Sequence, residues 1–155
     1  MPASFLMGLA LLLTGCGSDI PSSTVTTGLT LDCQEFQANV YPILDNPIFD
    51  VNGVGRTCSA SGCHSPTSAG GGFKIFPNAA PNTIDMQANY FAAVGFSNLG
   101  SPANSKLLLE PLAGSQSIVG SHSGGDIFVD TNDTNYQTIF NWISTQIQGP
   151  SSCFP

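Results

Sequence analysis

Apolar residues gather in a few short segments, separated by long stretches rich in Gly, Pro, Ser, Thr and Asn. The first is the unbroken run over residues 5–13. It is too short to span a bilayer as a stable helix and fits the apolar region of an export signal. In the second, Phe36, Val40, Ile43 and Leu44 recur on one helical face, behind Asp32 and Glu35 at capping-box spacing. Pro42 lies inside that pattern and would kink the helix or end it a turn early. In the third, Asn82-Thr83-Ile84-Asp85 opens a helix with Met86, Tyr90, Phe91 and Val94 on one face, stopped near Gly95. The apolar stretch around Leu107, Leu108 and Leu109 is too short for periodicity to separate helix from strand. The last segment carries Tyr136, Ile139, Phe140, Ile143 and Ile147, with Trp142 at the flank. It predicts a helix capped by Thr131 or Asp133, running to about Gln148 and ended by Gly149-Pro150. The pattern predicts few helices joined by long Gly/Pro-rich loops, an all-α chain.

The 155 residues are the length of one domain once a leader is removed. The formal charge is -7, and Arg56, Lys74 and Lys106 are the only Lys or Arg residues. Such a chain offers no basic patch for a phosphate backbone, which excludes nucleic acid as a partner. No Ser-His-Asp set or paired-carboxylate constellation is visible. Asp126, Asp130 and Asp133 are close in sequence but read as solvated loop or capping groups rather than a calcium loop.

The chemistry concentrates in Cys58-Ser59-Ala60-Ser61-Gly62-Cys63-His64. This Cys-x4-Cys-His stretch resembles a spaced-out c-type haem attachment signature. In such signatures two thiols add across the haem vinyl groups and the adjoining imidazole binds iron. That resemblance makes Cys58 and Cys63 the thioether residues of one covalently bound haem c, and His64 the proximal iron ligand. Two other uses of the same residues stay open: a local disulfide with an exposed histidine, and a zinc site. Pro66 would orient the His64 imidazole by shaping the loop, or accept its ring N–H through the backbone carbonyl. Phe73, Ile75 and Phe76 are candidates for the haem pocket or the core.

The apolar leader ends in Leu13-Thr14-Gly15-Cys16, which resembles a bacterial lipobox, although no Lys or Arg precedes the run. The resemblance implies a lipoprotein signal peptide over residues 1–15 and acylation of Cys16. It also implies a flexible lipid-anchored tether over residues 16–30 and a domain over residues 31–155. Gly17 and Ser18 after the cysteine favour the outer membrane by Gram-negative sorting rules, on its periplasmic or cell-surface side. Export and covalent haem attachment support each other, since bacteria attach haem outside the cytoplasm.

Beyond the leader, only Met86 and His122 offer a second axial ligand of the usual kind. The order Phe-x3-Val-x-Pro-Ile-Leu, Cys-His, Ser-Lys-Leu-Leu-Leu-x-Pro-Leu, His-x-Gly-Gly, Tyr-x3-Phe-x-Trp-Ile covers roughly residues 36–143. It resembles a family of bacterial cytochrome-c-like domains. That resemblance implies a cytochrome c-like fold, with few helices around one haem. It favours His122 as the distal ligand, with Met86 as the alternative and an open sixth position as a third arrangement. It also implies an electron carrier rather than an enzyme, exchanging single electrons with redox protein partners and held at a membrane by its lipid anchor. A haem peroxidase, a gas-binding domain and a haem-free binding lipoprotein are the rival functions. With Cys16, Cys58 and Cys63 so assigned, Cys33 and Cys153 remain, and an even remainder in an oxidising compartment points to a disulfide. The competing assignment pairs one of them with a motif cysteine, which would remove the attachment site.

Overall fold

A computed structural model describes residues 28–68, 71–114, 122–149 and 153–154. The fold is built around a capped and bulged first helix. Asp32 accepts hydrogen bonds from the amides of Gln34 (2.8 Å) and Glu35 (3.2 Å), which starts α1 (Cys33–Glu35). Half of the expected capping box is present, because the Glu35 carboxylate instead accepts from the Asn39 side chain at 2.9 Å. The helix passes through a π-helical turn (Phe36–Val40) into α2 (Tyr41–Asp45). Pro42 explains that turn. It has no N–H to give to Ala38, so the ladder shifts register and the Tyr41 amide bonds Phe36 one residue further back. The sequence pattern anticipates a kink or an early stop, and the chain absorbs the proline as a bulge.

Two further helices form the rest of the main core. Thr83 caps α3 (Ile84–Gly95), its hydroxyl accepting from the Met86 amide. Asp133 caps α5 (Thr134–Ser144) through the amides of Asn135 and Tyr136. Between them, α4 (Lys106–Leu109) is a single turn that buries Leu107 and Leu108. The Phe36 ring lies against Trp142 of α5 (5.4 Å between centroids) and Tyr90 of α3 (5.6 Å), so the first and last helices meet over an aromatic centre. Removing so buried an aromatic would destabilise a domain by about 3–5 kcal/mol.

The buried face of α3 is rotated from the expected one. Met86, Asn89, Tyr90 and Ala93 are buried, while Phe91 is 59% exposed. Asn89 is tolerated inside because its amide pairs with one backbone unit. It accepts from the Phe76 amide (2.7 Å) and donates to the Phe76 carbonyl (2.9 Å).

The all-α, cytochrome c-like expectation is overturned by two small antiparallel sheets and the shortness of the helices, which make the fold an α+β mixture. A hairpin pairs β2 (Ile48–Phe49) with β3 (Gly55–Arg56). Strand β1 (Leu29–Leu31) pairs with β4 (Gln146–Gln148), Thr30 lying opposite Ile147. The final helix therefore ends at Ser144, before the expected Gln148, and Ile147 belongs to a strand. The end of the expected tether, Leu29 and Thr30, is likewise strand. Cys33 and Cys153, the expected disulfide pair, lie at disulfide distance, with Cα atoms 6.1 Å apart. The leader and Cys16 lie outside the described residues. Among the described residues no helix is long and apolar enough to cross a membrane.

Candidate functional site

The motif loop is fastened at both ends. At its start, the Ser59 amide bonds the Leu44 carbonyl (3.1 Å) and the Ser59 hydroxyl donates to Asp45 (2.6 Å). Asp45 is a hub, because its carboxylate also accepts from Tyr41 (3.0 Å) and from the Asn78 amide (2.9 Å). At its end, the His64 amide bonds the Cys58 carbonyl (3.0 Å), closing the loop on itself. The four-residue spacer fits because Gly62 takes a left-handed conformation, φ 91°. Cys58 and Cys63 stand as free thiols, unbridged to each other. Burial, with the neighbouring Cys63 adding to it, pushes the Cys58 thiol up to about 11. It is therefore a neutral thiol at neutral pH rather than a reactive thiolate.

Next, the His64 ring is aimed by the backbone that follows it. Its Nδ1 lies 3.1 Å from the carbonyl of Phe73, and its own carbonyl accepts from the Ile75 amide at 2.7 Å. The acceptor is thus Phe73, not the expected Pro66. Asn89 holds Phe76 in place, so α3 fixes the segment that orients His64. Burial lowers the His64 pKa, an effect the Phe73 hydrogen bond opposes and His122 and Lys74 reinforce. The net direction favours neutral imidazole, the form that ligates metals.

The His122 ring faces this imidazole from a separate loop. Its Nδ1 lies 3.0 Å from the Gly125 carbonyl, and the Gly125 amide bonds the His122 carbonyl at 2.9 Å. The base of the loop is stitched to the end of α4, where the amides of Ile127 and Phe128 both reach the Pro111 carbonyl. The two rings are 10° from parallel with centroids 6.0 Å apart. The rings form an offset, near-parallel pair, and each Nδ1 is tied to a carbonyl, so each Nε2 is the remaining donor atom. Two imidazoles bound end-on through Nε2 to one metal, at about 2.0 Å per bond, would hold their centres roughly 6 Å apart.

Two cavities meet at this histidine pair. One, of about 350 Å³, is apolar and bordered by Leu44, Ile48, Phe73, Phe96, Leu107 and Phe128. The other, of about 410 Å³, is bordered by Thr57, Cys58, Cys63 and Gly124. Cys58, His64 and His122 border both. Both volumes fall within the ~300–1,000 Å³ of small-ligand sites. The arrangement has parts that a covalently held haem would require: two thiols at one rim, two neighbouring imidazoles with Nε2 uncommitted, and apolar walls. Gly124 is part of the fit, since a Cβ there would lie 2.7 Å from His122 Cε1. Among the described residues no group of three or more His, Cys, Asp or Glu side chains converges to hold a bare metal ion. Met86, the alternative ligand of the sequence reading, is fully buried in the core and borders neither cavity.

Asp50 and Arg56 escape a motif-based reading. They pair at 3.1 Å beside the His122 loop. The signal available for them is Asp50-Val51-Asn52-Gly53, a turn in which an aspartate caps its own backbone. Comparison with protein-family models, curated proteins and solved structures yields no match to this chain.

Proposed function

We propose that this chain is a one-electron carrier holding a single haem c through thioethers at Cys58 and Cys63, with His64 and His122 as its axial ligands. The observation that carries this reading is the neighbouring histidine pair, near-parallel at 6.0 Å, each ring anchored at Nδ1 and bordering both the thiol-rimmed and the apolar cavity. When bound, haem supplies a one-electron ferric/ferrous couple whose potential is set by ligands and burial.

The protein's own part is positioning. Asp45 and the Leu44 carbonyl fix the thiol loop. The Phe73 and Gly125 carbonyls hold the two rings in the tautomer that leaves Nε2 available. Phe73, Phe96, Leu107 and Phe128 exclude water from the apolar side. Were both imidazoles to hold the iron, no position would be left for substrate, which would favour a carrier over a peroxidase or gas-binding domain. We further propose that the chain is exported and anchored through acylated Cys16 to the outer membrane, on its periplasmic or cell-surface side, where redox proteins are its partners.

The test is the exported, processed protein. Its mass should exceed that of polypeptide plus lipid by one haem, its pyridine haemochrome should be of the c type, its ferric spectrum should be low-spin, and its ferrous spectrum should be unmoved by carbon monoxide. A mass without haem overturns the reading. A high-spin iron that binds carbon monoxide overturns the carrier assignment in favour of an open site. Incorporation of labelled fatty acid that is lost in Cys16→Ser tests the anchor.

A further inference from the structure

The His122 loop is not held by its own turn alone. Gly125, whose carbonyl faces the His122 ring, takes a left-handed conformation (φ 86°) directly over the Asp50 side chain. A Cβ at that position would lie 3.4 Å from Asp50 Oδ2 and 4.0 Å from both Arg56 Nε and Nη2. The next residue, Asp126, gives its carbonyl to the Val51 amide at 3.0 Å. The β2–β3 hairpin thus supplies the floor on which the loop rests. That floor is rigid because the Asp50 carboxylate is nearly fully committed. One oxygen accepts from the Asn52 and Val54 amides, each at 2.9 Å, and the other accepts from Arg56 Nε at 3.1 Å. The Asp50 side chain is only 1% exposed, against 42% for Arg56. A buried carboxylate with three donors is a fixed object rather than a mobile surface charge.

From this geometry we infer that Asp50 and Arg56 are positioning residues for His122: the ion-paired hairpin holds the Gly125 carbonyl where it orients the imidazole toward His64. The inference rests on the proposed ligand role of His122, but the positioning itself can be read without bound haem. The test uses the full exported chain as isolated, labelled with 15N-histidine and reduced, in the wild type, Asp50→Asn and Arg56→Gln. Exchange of the His122 ring N–H should accelerate on the order of tenfold in both variants, the loss expected for one charge-assisted contact, with the His64 ring N–H unchanged. Where the wild type carries haem, both variants should also show a new high-spin ferric fraction in magnetic resonance spectra. Unchanged His122 exchange, or equal acceleration at His64, overturns the inference. A wild type without haem overturns the proposed function instead, and the exchange comparison still decides the positioning. Should Asp50→Asn fail to fold, Arg56→Gln decides alone, since it leaves the backbone turn around Asp50 its two amide bonds.

Discussion

Trp142 donates its indole N–H to the backbone carbonyl of Asp32, 2.8 Å away and 110 residues earlier in the chain. The Phe36 amide shares that carbonyl at 3.1 Å. The residue that caps the first helix is therefore gripped by the last one. Trp142→Phe keeps an aromatic ring against Phe36 but loses the hydrogen bond and part of the ring, and should destabilise the domain by about 1–3 kcal/mol. Asp32→Ala, which leaves the carbonyl intact, should cost about 1 kcal/mol through the cap alone. Denaturant unfolding of both variants separates the two effects.

Distal ligation should answer to His122 and ignore Met86. His122→Ala in the holoprotein should convert the ferric spectrum from low-spin to high-spin and raise the reduction potential. Met86→Leu should leave spectrum and potential unchanged, at a stability cost under about 1.5 kcal/mol, because Met86 is a core side chain that lines neither cavity. The reverse pattern in absorption spectra would reassign the ligand.

A single methyl group at Gly124 should perturb the same site. Its Cβ would meet His122 Cε1 at 2.7 Å, which forces the ring to move. Gly124→Ala should give a mixed-spin ferric spectrum with little change in global unfolding, because the clash is with one side chain in a loop. Paired spectroscopic and unfolding measurements check this.

The caps are where sequence and structure agree most closely. Asp32 caps as read, Asp133 rather than Thr131 caps the last helix, and Thr83 lies in the stretch read as opening α3, since capping depends on neighbours within one turn. Strand β4 was not legible, because its partner, β1, lies more than a hundred residues away and three residues carry no period. Ile147 accordingly reads as the end of a helical stripe. Burial of Asn89 was hidden for a similar reason, since its partner is backbone at Phe76 and backbone leaves no mark in sequence. The histidines of the site could be named from their motifs. Their separation, and the hairpin beneath His122, could not, because both depend on loops meeting in space.

Reducing the Cys33–Cys153 bond should have a large effect. It closes a loop spanning 120 residues. In the chain-entropy account a loop of that length stabilises the fold by about 4–5 kcal/mol. The double variant Cys33→Ser/Cys153→Ser should lose that amount in denaturant unfolding and become insensitive to reductant, while it carries the same added haem mass and visible spectrum as the wild type.

Alkaline pH should unfold the protein partly through Tyr41. Burial raises its phenol from the ordinary value of 10.0 to about 12, the Ala79 amide opposes that, and Asp45 adds to it. The folded state therefore holds the proton to higher pH than the unfolded chain does. The corresponding stability is fully present below pH 10, falls as pH rises from about 10 toward 12, and is lost beyond the folded value. Unfolding measured across that window should show a downward slope in the wild type that is smaller in Tyr41→Phe. Equal slopes would remove Tyr41 from the account.

The pairing of β1 with β4, followed two residues later by the Cys33 bridge, sets the route that mechanical load takes. A pull on the amino-terminal end arrives first at a three-residue ladder and then at a covalent link to Cys153. Tension is thereby shunted to the carboxyl-terminal end of the chain. The segments bearing Cys58, Cys63, His64 and His122 lie between those two ends in sequence and off that line of force.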